Sequence, residues 1–456
     1  MVVGGGASGA LAALHLSRRA AATGAPLTLD IVEPGQLGRG VAYSTGNYEH
    51  RLNVPAAGMS VLPDEPGHFV HWLRANYDPG FPAGGFAPRA VFGRYLADTL
   101  SRQLAAALGV TWTQHRTRAV DLGRRDEGVT VTLADGQVLP ADAVVLALGH
   151  GAATTNWVPA PLARSPRFVA DPWRPGGLPE LPAGSTVLLV GSGLTMIDVA
   201  INYGHGQLHT VSRHGLLPLA HVPDPPAAQP RPLPETTFTA ASARRLVFDR
   251  IRALDGDWRT AVDSLRPVTQ QLWSRLGDPD RRRLLAQGQR RWERARHRMA
   301  PELGAWMAAR QAQGVLTVRP ASVVEARDHD DGLTVGLSDG STVRADLVIN
   351  CTGRAATPDP GDDPLVRALL ARGTARRDSL GLGFATDPDG RLSSATGAAA
   401  DAATGAAAGD LPAWTLGSLR RGELWESTAI PEIRDQAAEL ATSILTRVGA
   451  GTREVA

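Results

Sequence analysis

The chain predicts an α/β fold in which two strand–turn–helix units of one layout flank a helical insert. Three observations predict it. At the start, Val2-Val3 leads into Gly4-Gly5-Gly6-Ala7-Ser8-Gly9 and an alanine-rich helical run. Further along, Gly184 to Val190 leads into Gly191-Ser192-Gly193-Leu194-Thr195-Met196, the same pattern with Met196 in place of the third glycine. Each unit then carries an Asp-Gly turn, Asp135-Gly136 or Asp339-Gly340, and an apolar run ending in Gly149 or Gly353. Strands alternating with helices imply parallel sheets, and a layout that recurs within one chain is an internal duplication.

The glycine spacing has physical reasons. Gly4 permits a tight strand-to-helix turn, Gly6 lets the backbone approach a pyrophosphate, and Gly9 lets the helix pack on the strand. The helix N-terminus offers free N–H groups to an anion. A second strand, Leu27 to Val32, ends at Glu33, placed to accept hydrogen bonds from a ribose diol. The plainer reading is a tight turn with no ligand. In the second unit the strand Gln207 to Val211 runs out into Ser212-Arg213-His214-Gly215, and arginine at that place suits a 2′-phosphate. Both turns are therefore read as Rossmann-like dinucleotide sites, Gly4 to Gly9 for FAD and Gly191 to Met196 for NADPH. The expected division is 1–165 and 346–456 for the FAD unit, 166–235 and 315–345 for the NADPH unit, and 236–314 for the insert.

With 456 residues, 43% apolar and 20% charged, the chain has the make-up of a globular protein of two or three domains. It contains no lysine, so all 47 basic residues are arginine, and the formal net charge is +2. That balance gives no global field for nucleic acid. The lone Cys351 rules out a disulfide framework or a paired redox motif, and it suits a reducing cytosol. No run of 18 apolar residues suggests a membrane span. The strand before Gly4 is short, so either the natural start lies upstream or this strand is unusually brief.

In order, the pattern predicts a helix around Phe69 to Asn76, then a long amphipathic helix from Ala87 to Leu108 with Phe92, Leu96 and Leu100 on one side. A β-meander over Gly109–Thr113, Gly128–Leu133 and Ala141–Gly149 follows. Val222 to Glu235 reads as a proline-rich connector. Phe238 to Gln313 reads as helical throughout, with Trp258, Trp273, Trp292 and Trp306 as core anchors. Ser393 to Asp410 reads as a low-complexity surface loop, and a last helix starts near Pro431. His68 and His71 read as a helix face rather than a metal site, and Cys351 as a core residue.

Several stretches together resemble a known family. They are Gly4 to Gly9, Gly40-Val41-Ala42-Tyr43-Ser44, Leu52-Asn53-Val54-Pro55, Gly191 to Met196, Ser212-Arg213-His214-Gly215-Leu216, Arg296-His297-Arg298-Met299-Ala300-Pro301 and Thr428-Ala429-Ile430-Pro431-Glu432. The chain resembles FAD- and NADPH-dependent N-hydroxylating monooxygenases. Its arginine- and tryptophan-rich insert looks most like L-aspartate N-hydroxylases that form nitrosuccinate. The resemblance implies successive oxidation of an amine through a C4a-hydroperoxyflavin. It also implies an FAD site of Gly4, Gly6, Ser8, Gly9, Glu33, Arg39, Asn53, Val120, Gly149, Gly417, Thr428 and Ile430, with Asn53 near the reacting ring. For NADPH it implies Gly191, Gly193, Leu194, Thr195 and Arg213.

The insert crowds Arg290, Arg291, Arg294, Arg296 and Arg298 into one stretch. Arg291, Arg294 and Arg298 are three and four apart and so share a helix face. Arginine forks bind carboxylates bidentately, so Arg291 and Arg294 are expected to hold the two carboxylates of aspartate, with Arg291 as the residue essential to hydroxylation. Arg296 and Arg298 are expected to serve NADPH phosphates or the structure. The plainer reading is a solvated basic face with partners such as Glu293 and Glu302. The competing function is an NADPH-dependent flavin reductase or oxidase with no amine substrate.

Overall fold

The computed structural model describes residues 1–125, 128–223, 229–230, 232–394 and 411–454. Two five-stranded parallel sheets carry the molecule. The first runs Ala413–Thr415, Val144–Leu146, Val2–Val3, Leu27–Val32, Val110–His115. The second runs Leu316–Pro320, Gln207–Ser212, Thr186–Val190, Leu347–Asn350, Phe168–Val169. In each, the strand that enters the glycine turn is central, between the next strand in the chain and the later apolar one. The central strands Val2–Val3, Val144–Leu146, Thr186–Val190 and Leu347–Asn350 are near-continuous apolar runs, as strands buried on both faces need, while strands farther out, such as Val110–His115 and Gln207–Ser212, alternate with polar residues. Each sheet also has a three-stranded antiparallel companion, Ala119–Arg124 with Val129–Leu133 and Val138–Ala141, and Val323–His329 with Gly332–Leu337 and Thr342–Ala345.

Two expectations need correction. Val110–His115 is not part of the meander, because it pairs in parallel with all six residues of Leu27–Val32. The strand Leu347–Asn350 pairs with Thr186–Val190, so the second sheet continues past the boundary expected at 345.

The first core gathers Leu11 and Leu14 from the helix Ala7–Thr23, Phe92, Leu96 and Leu100 from the helix Arg89–Ala106, and Leu440 and Ile444 from the helix Ile430–Glu454. Phe69 from the helix His68–Asn76 packs edge-on against Phe92. The terminal helix lies along Ala7–Thr23, where alanines at the contact let the two approach.

The insert comprises the helices Ala240–Arg252, Trp258–Leu265, Thr269–Ser274, Asp278–Arg296 and Pro301–Ala312. Local chemistry sets its breaks: Thr239 and Ser242 form a reciprocal cap, and Asp257 accepts from the amides of Arg259 and Thr260. Of the four expected anchors only Trp273 is buried; Trp258, Trp292 and Trp306 are half-buried. Trp273 stacks on Trp425 at 5.1 Å and donates to the Gly422 carbonyl at 2.8 Å, which docks the insert on the tail of the first unit. Most of Val222–Glu235 is described, but 224–228 and 231 lie outside the described residues, as do 395–410 of the low-complexity stretch. No described helix is long and apolar enough to cross a membrane.

Candidate functional site

At the first turn, Gly4 has φ +95°, and a Cβ there would stand 2.4 Å from the Ala147 carbonyl oxygen. A Cβ on Gly9 would stand 1.7 Å from the Gly4 oxygen, so the helix can sit this close only over glycine. Gly6 starts the helix without a side-chain cap, which leaves the first amides for a ligand. Gly40 faces Gly6 so closely that a Cβ on it would come within 3.1 Å of the Gly6 Cα. The Glu33 carboxylate accepts from the amides of Gly5 and Gly35, both at 2.8 Å, which fixes it at the strand end with further lone pairs to spare.

The tail reaches this turn from the other side. Gly417 has φ +73°, a Cβ on it would meet Ser8 Oγ at 2.8 Å, and its amide donates to Gln436 Oε1 at 2.9 Å. Gln436 also donates to the Ser427 carbonyl at 3.3 Å, which ties Thr428 and Ile430 to the same corner. Thr428 is exposed and Ile430 buried. The hydroxyls of Ser418 and Ser427 are buried there without a protein partner. Buried polar atoms are ordinarily paired, so this corner fits the polar edge of a bound cofactor. Sequence reasoning missed Gln436, whose single glutamine in a helix carries no spacing signal.

Asn53 lies on the loop after Leu52, and its carbonyl accepts from His221 Nε2 at 3.1 Å. Burial, the largest influence, pushes the His221 pKa down to about 4, so the neutral ring donates. Val120 is the residue skipped between Ala119 and Asp121 in the ladder with Val129–Leu133, where the register shifts as at a bulge. Gly149, with φ +68°, follows the strand Val144–Leu146. Arg39 packs half-buried against Gly93, with Nη1 3.5 Å from the Ala90 carbonyl.

The second turn repeats this with differences. Gly191 has φ +112°, and a Cβ there would stand 2.4 Å from the Cys351 carbonyl oxygen, as at Gly4. Gly193 starts the helix Leu194–Asn202 without a side-chain cap, and Leu194 and Thr195 form its first turn. Met196, in the third position, is fully buried. Arg213 follows the strand Gln207–Ser212 and is exposed. Cys351 is buried, and burial pushes its thiol well above the ordinary range, so it is no nucleophile.

The arginines do not share one surface. Arg291 is exposed, and among the described residues no carboxylate pairs with it. Arg294 is half-buried and donates through Nε to the Leu217 carbonyl at 2.8 Å. Arg296 and Arg298 are 6% and 2% exposed, which favours the structural one of the two tasks expected of them. Arg298 pairs with Asp263, and Arg296 lies 3.6 Å from Glu426 and 3.7 Å from Glu432. Burial opposes the Glu426 charge, but Arg296, His297 and the Trp292 hydrogen bond outweigh it and hold its pKa low. The helix ends at Arg296, so Arg298 does not share the face of Arg291 and Arg294 that its spacing predicted, and it packs on Asp263 instead.

Residues 1–151 match a family model described as FAD-NAD(P)-binding. No curated protein matches the chain significantly. Among solved structures, ornithine hydroxylase from Pseudomonas aeruginosa is similar at TM-score 0.64 and 16% identity, over 98% of this chain and 100% of that one. L-lysine 6-monooxygenase from Pseudomonas syringae is similar at 0.61 and 17%, over 98% of each. Bacillithiol disulfide reductase from Staphylococcus aureus is similar at 0.55 and 13%, over 98% and 97%. At these identities the likeness is one of fold, an α/β architecture with two Rossmann-like units, shared by hydroxylases and a reductase alike.

Proposed function

We propose that the chain is an FAD- and NADPH-dependent monooxygenase that hydroxylates the amine nitrogen of a small amino acid, with L-aspartate oxidised in successive rounds to nitrosuccinate. The observation that carries this reading is the pairing of two glycine turns with opposite strand-end charge, Glu33 and Arg213, in a chain with an insert docked on the tail of the first unit. One round consumes the amine, O2, NADPH and a proton, and releases the hydroxylamine, NADP+ and water. Bound FAD would take hydride from NADPH and activate O2. The protein's part is to hold the ring between the Asn53 loop and the Gly417 to Ile430 segment, away from water. The amine must arrive unprotonated. Arg291 and Arg294, which no described carboxylate neutralises, supply the charge that two substrate carboxylates need.

A reductase or oxidase without amine substrate is the second reading, favoured by the shared fold of the disulfide reductase. NADPH oxidation with and without L-aspartate, with the product mass measured, separates the two. Hydrogen peroxide as the sole product with every amino acid tried defeats the hydroxylase reading. Arg291→Glu should abolish hydroxylation while NADPH oxidation continues. Aspartate turnover unchanged in that variant removes Arg291 from the substrate site.

A further inference from the structure

Arg290 stands in the arginine-rich stretch, on the helix Asp278–Arg296. Its Nη2 donates to the Ser192 carbonyl at 3.2 Å, to Ser192 Oγ at 3.1 Å and to the Leu216 carbonyl at 2.8 Å. Ser192 is the middle residue of the second glycine turn, and its hydroxyl also meets Ser212 Oγ at 2.8 Å, next to Arg213. The insert helix thus plants a guanidinium on the turn itself, one serine pair away from the strand-end arginine.

All three acceptors are neutral, so the charge of Arg290 is not cancelled. Burial, first, and the charges of Arg294 and Arg213 lower its pKa, against Glu293. Among the described residues Glu293 is the acid that acts on Arg290, and it is held by Arg421 at 3.0 Å. Like charges held together cost stability unless an anion joins them. A phosphate monoester brings close to two negative charges and three acceptor oxygens, which match arginine forks.

We infer that Arg290 and Arg213 form a phosphate-monoester site for the 2′-phosphate that distinguishes NADPH from NADH, so that the helical insert takes part in selecting the nucleotide. The inference rests on the NADPH reading of the second turn. The FAD-loaded full-length protein is titrated calorimetrically with adenosine 2′,5′-bisphosphate and with AMP. The wild type is expected to prefer the bisphosphate by at least about tenfold, the size of one hydrogen bond to a charged group. Arg290→Ala should lose about tenfold in bisphosphate affinity with AMP unchanged. Arg290→Lys, which keeps the charge but not the fork, should lose less. If Arg290→Ala perturbs the fold, Arg290→Gln keeps a donor for the Leu216 carbonyl and should still lose the preference. A variant that keeps the wild-type ratio, or loses both ligands equally, overturns the role of Arg290 alone. A wild type that binds both ligands equally overturns the NADPH reading as well.

Discussion

The two glycine turns begin alike and then diverge. At Gly4 and Gly191 a Cβ would stand 2.4 Å from a carbonyl of the neighbouring strand, Ala147 or Cys351. At the third position the first unit has Gly9, pressed on the Gly4 oxygen, whereas the second has Met196 buried in its core. The helix starts record the difference. Ala10 N bonds Gly6 O at 2.8 Å, while Ile197 N reaches Gly193 O only at 3.4 Å, and Met196 N takes the tighter i→i+3 bond to the same oxygen at 3.1 Å. The first turn is thus closed by backbone packing. The second leaves its helix far enough away for a side chain, and an arginine from the insert braces it from outside. A duplicated layout does not imply duplicated tightness.

The largest expected effect breaks that comparison at the third position. Gly9→Ala should cost more than about 3 kcal/mol and abolish FAD retention, because the new methyl lands on backbone that cannot move away. Met196→Ala should cost about 2–5 kcal/mol through a cavity, yet leave flavin content near one per chain. Thermal unfolding and bound flavin per chain check both. Full flavin in Gly9→Ala would mean the first turn is no tighter than the second.

These turns were legible because their spacing expresses a steric requirement in residue identity. So were the helix Arg89–Ala106, where periodicity marks the buried face, and the duplication, where similar segments recur in order. The register shift at Val120 was not derivable from residue pattern, since a skipped residue has no signature in an alternating strand. The partners of the arginines of 290–298 were not legible, for a different reason. Arg296 and Arg298 are buried because acids distant in sequence, Glu426, Glu432 and Asp263, fold over them. Arg290 gained its place from contacts with Ser192 and Leu216, more than 70 residues away. Charge runs reveal charge; only tertiary structure reveals which partner claims it.

A middle-sized effect sharpens the contrast of strand-end charge. Arg213→Ala should raise the KM for NADPH about tenfold, the loss of one charge-assisted hydrogen bond, and change that for NADH little. Equal effects on both nucleotides would refute a 2′-phosphate role for Arg213 and leave Glu33 and Arg213 as unrelated surface choices.

The smallest effect concerns the contact that joins His221, just before the connector, to the first unit's Asn53 loop. Burial, then the charge of Arg298, hold His221 at about 4 against an ordinary 6.5. The folded state therefore resists protonation, and the unfolded chain binds the extra proton between these values. The stability this neutral histidine contributes is fully present above about pH 6.5 and is lost as pH falls toward 4. The slope is at most about 1.4 kcal/mol per pH unit, and less because the ring is part-exposed. His15 in the first unit, held at about 4 by burial while bonded to the Val61 carbonyl at 3.0 Å, adds a separate contribution of the same sign. His221→Gln keeps an N–H for the Asn53 carbonyl but carries no titrating ring. Denaturant unfolding at pH 7, 6 and 5 should then show a shallower loss in this variant than in the wild type. Identical slopes would mean that His221 titrates freely and that its bond to Asn53 does not hold the two units together in solution.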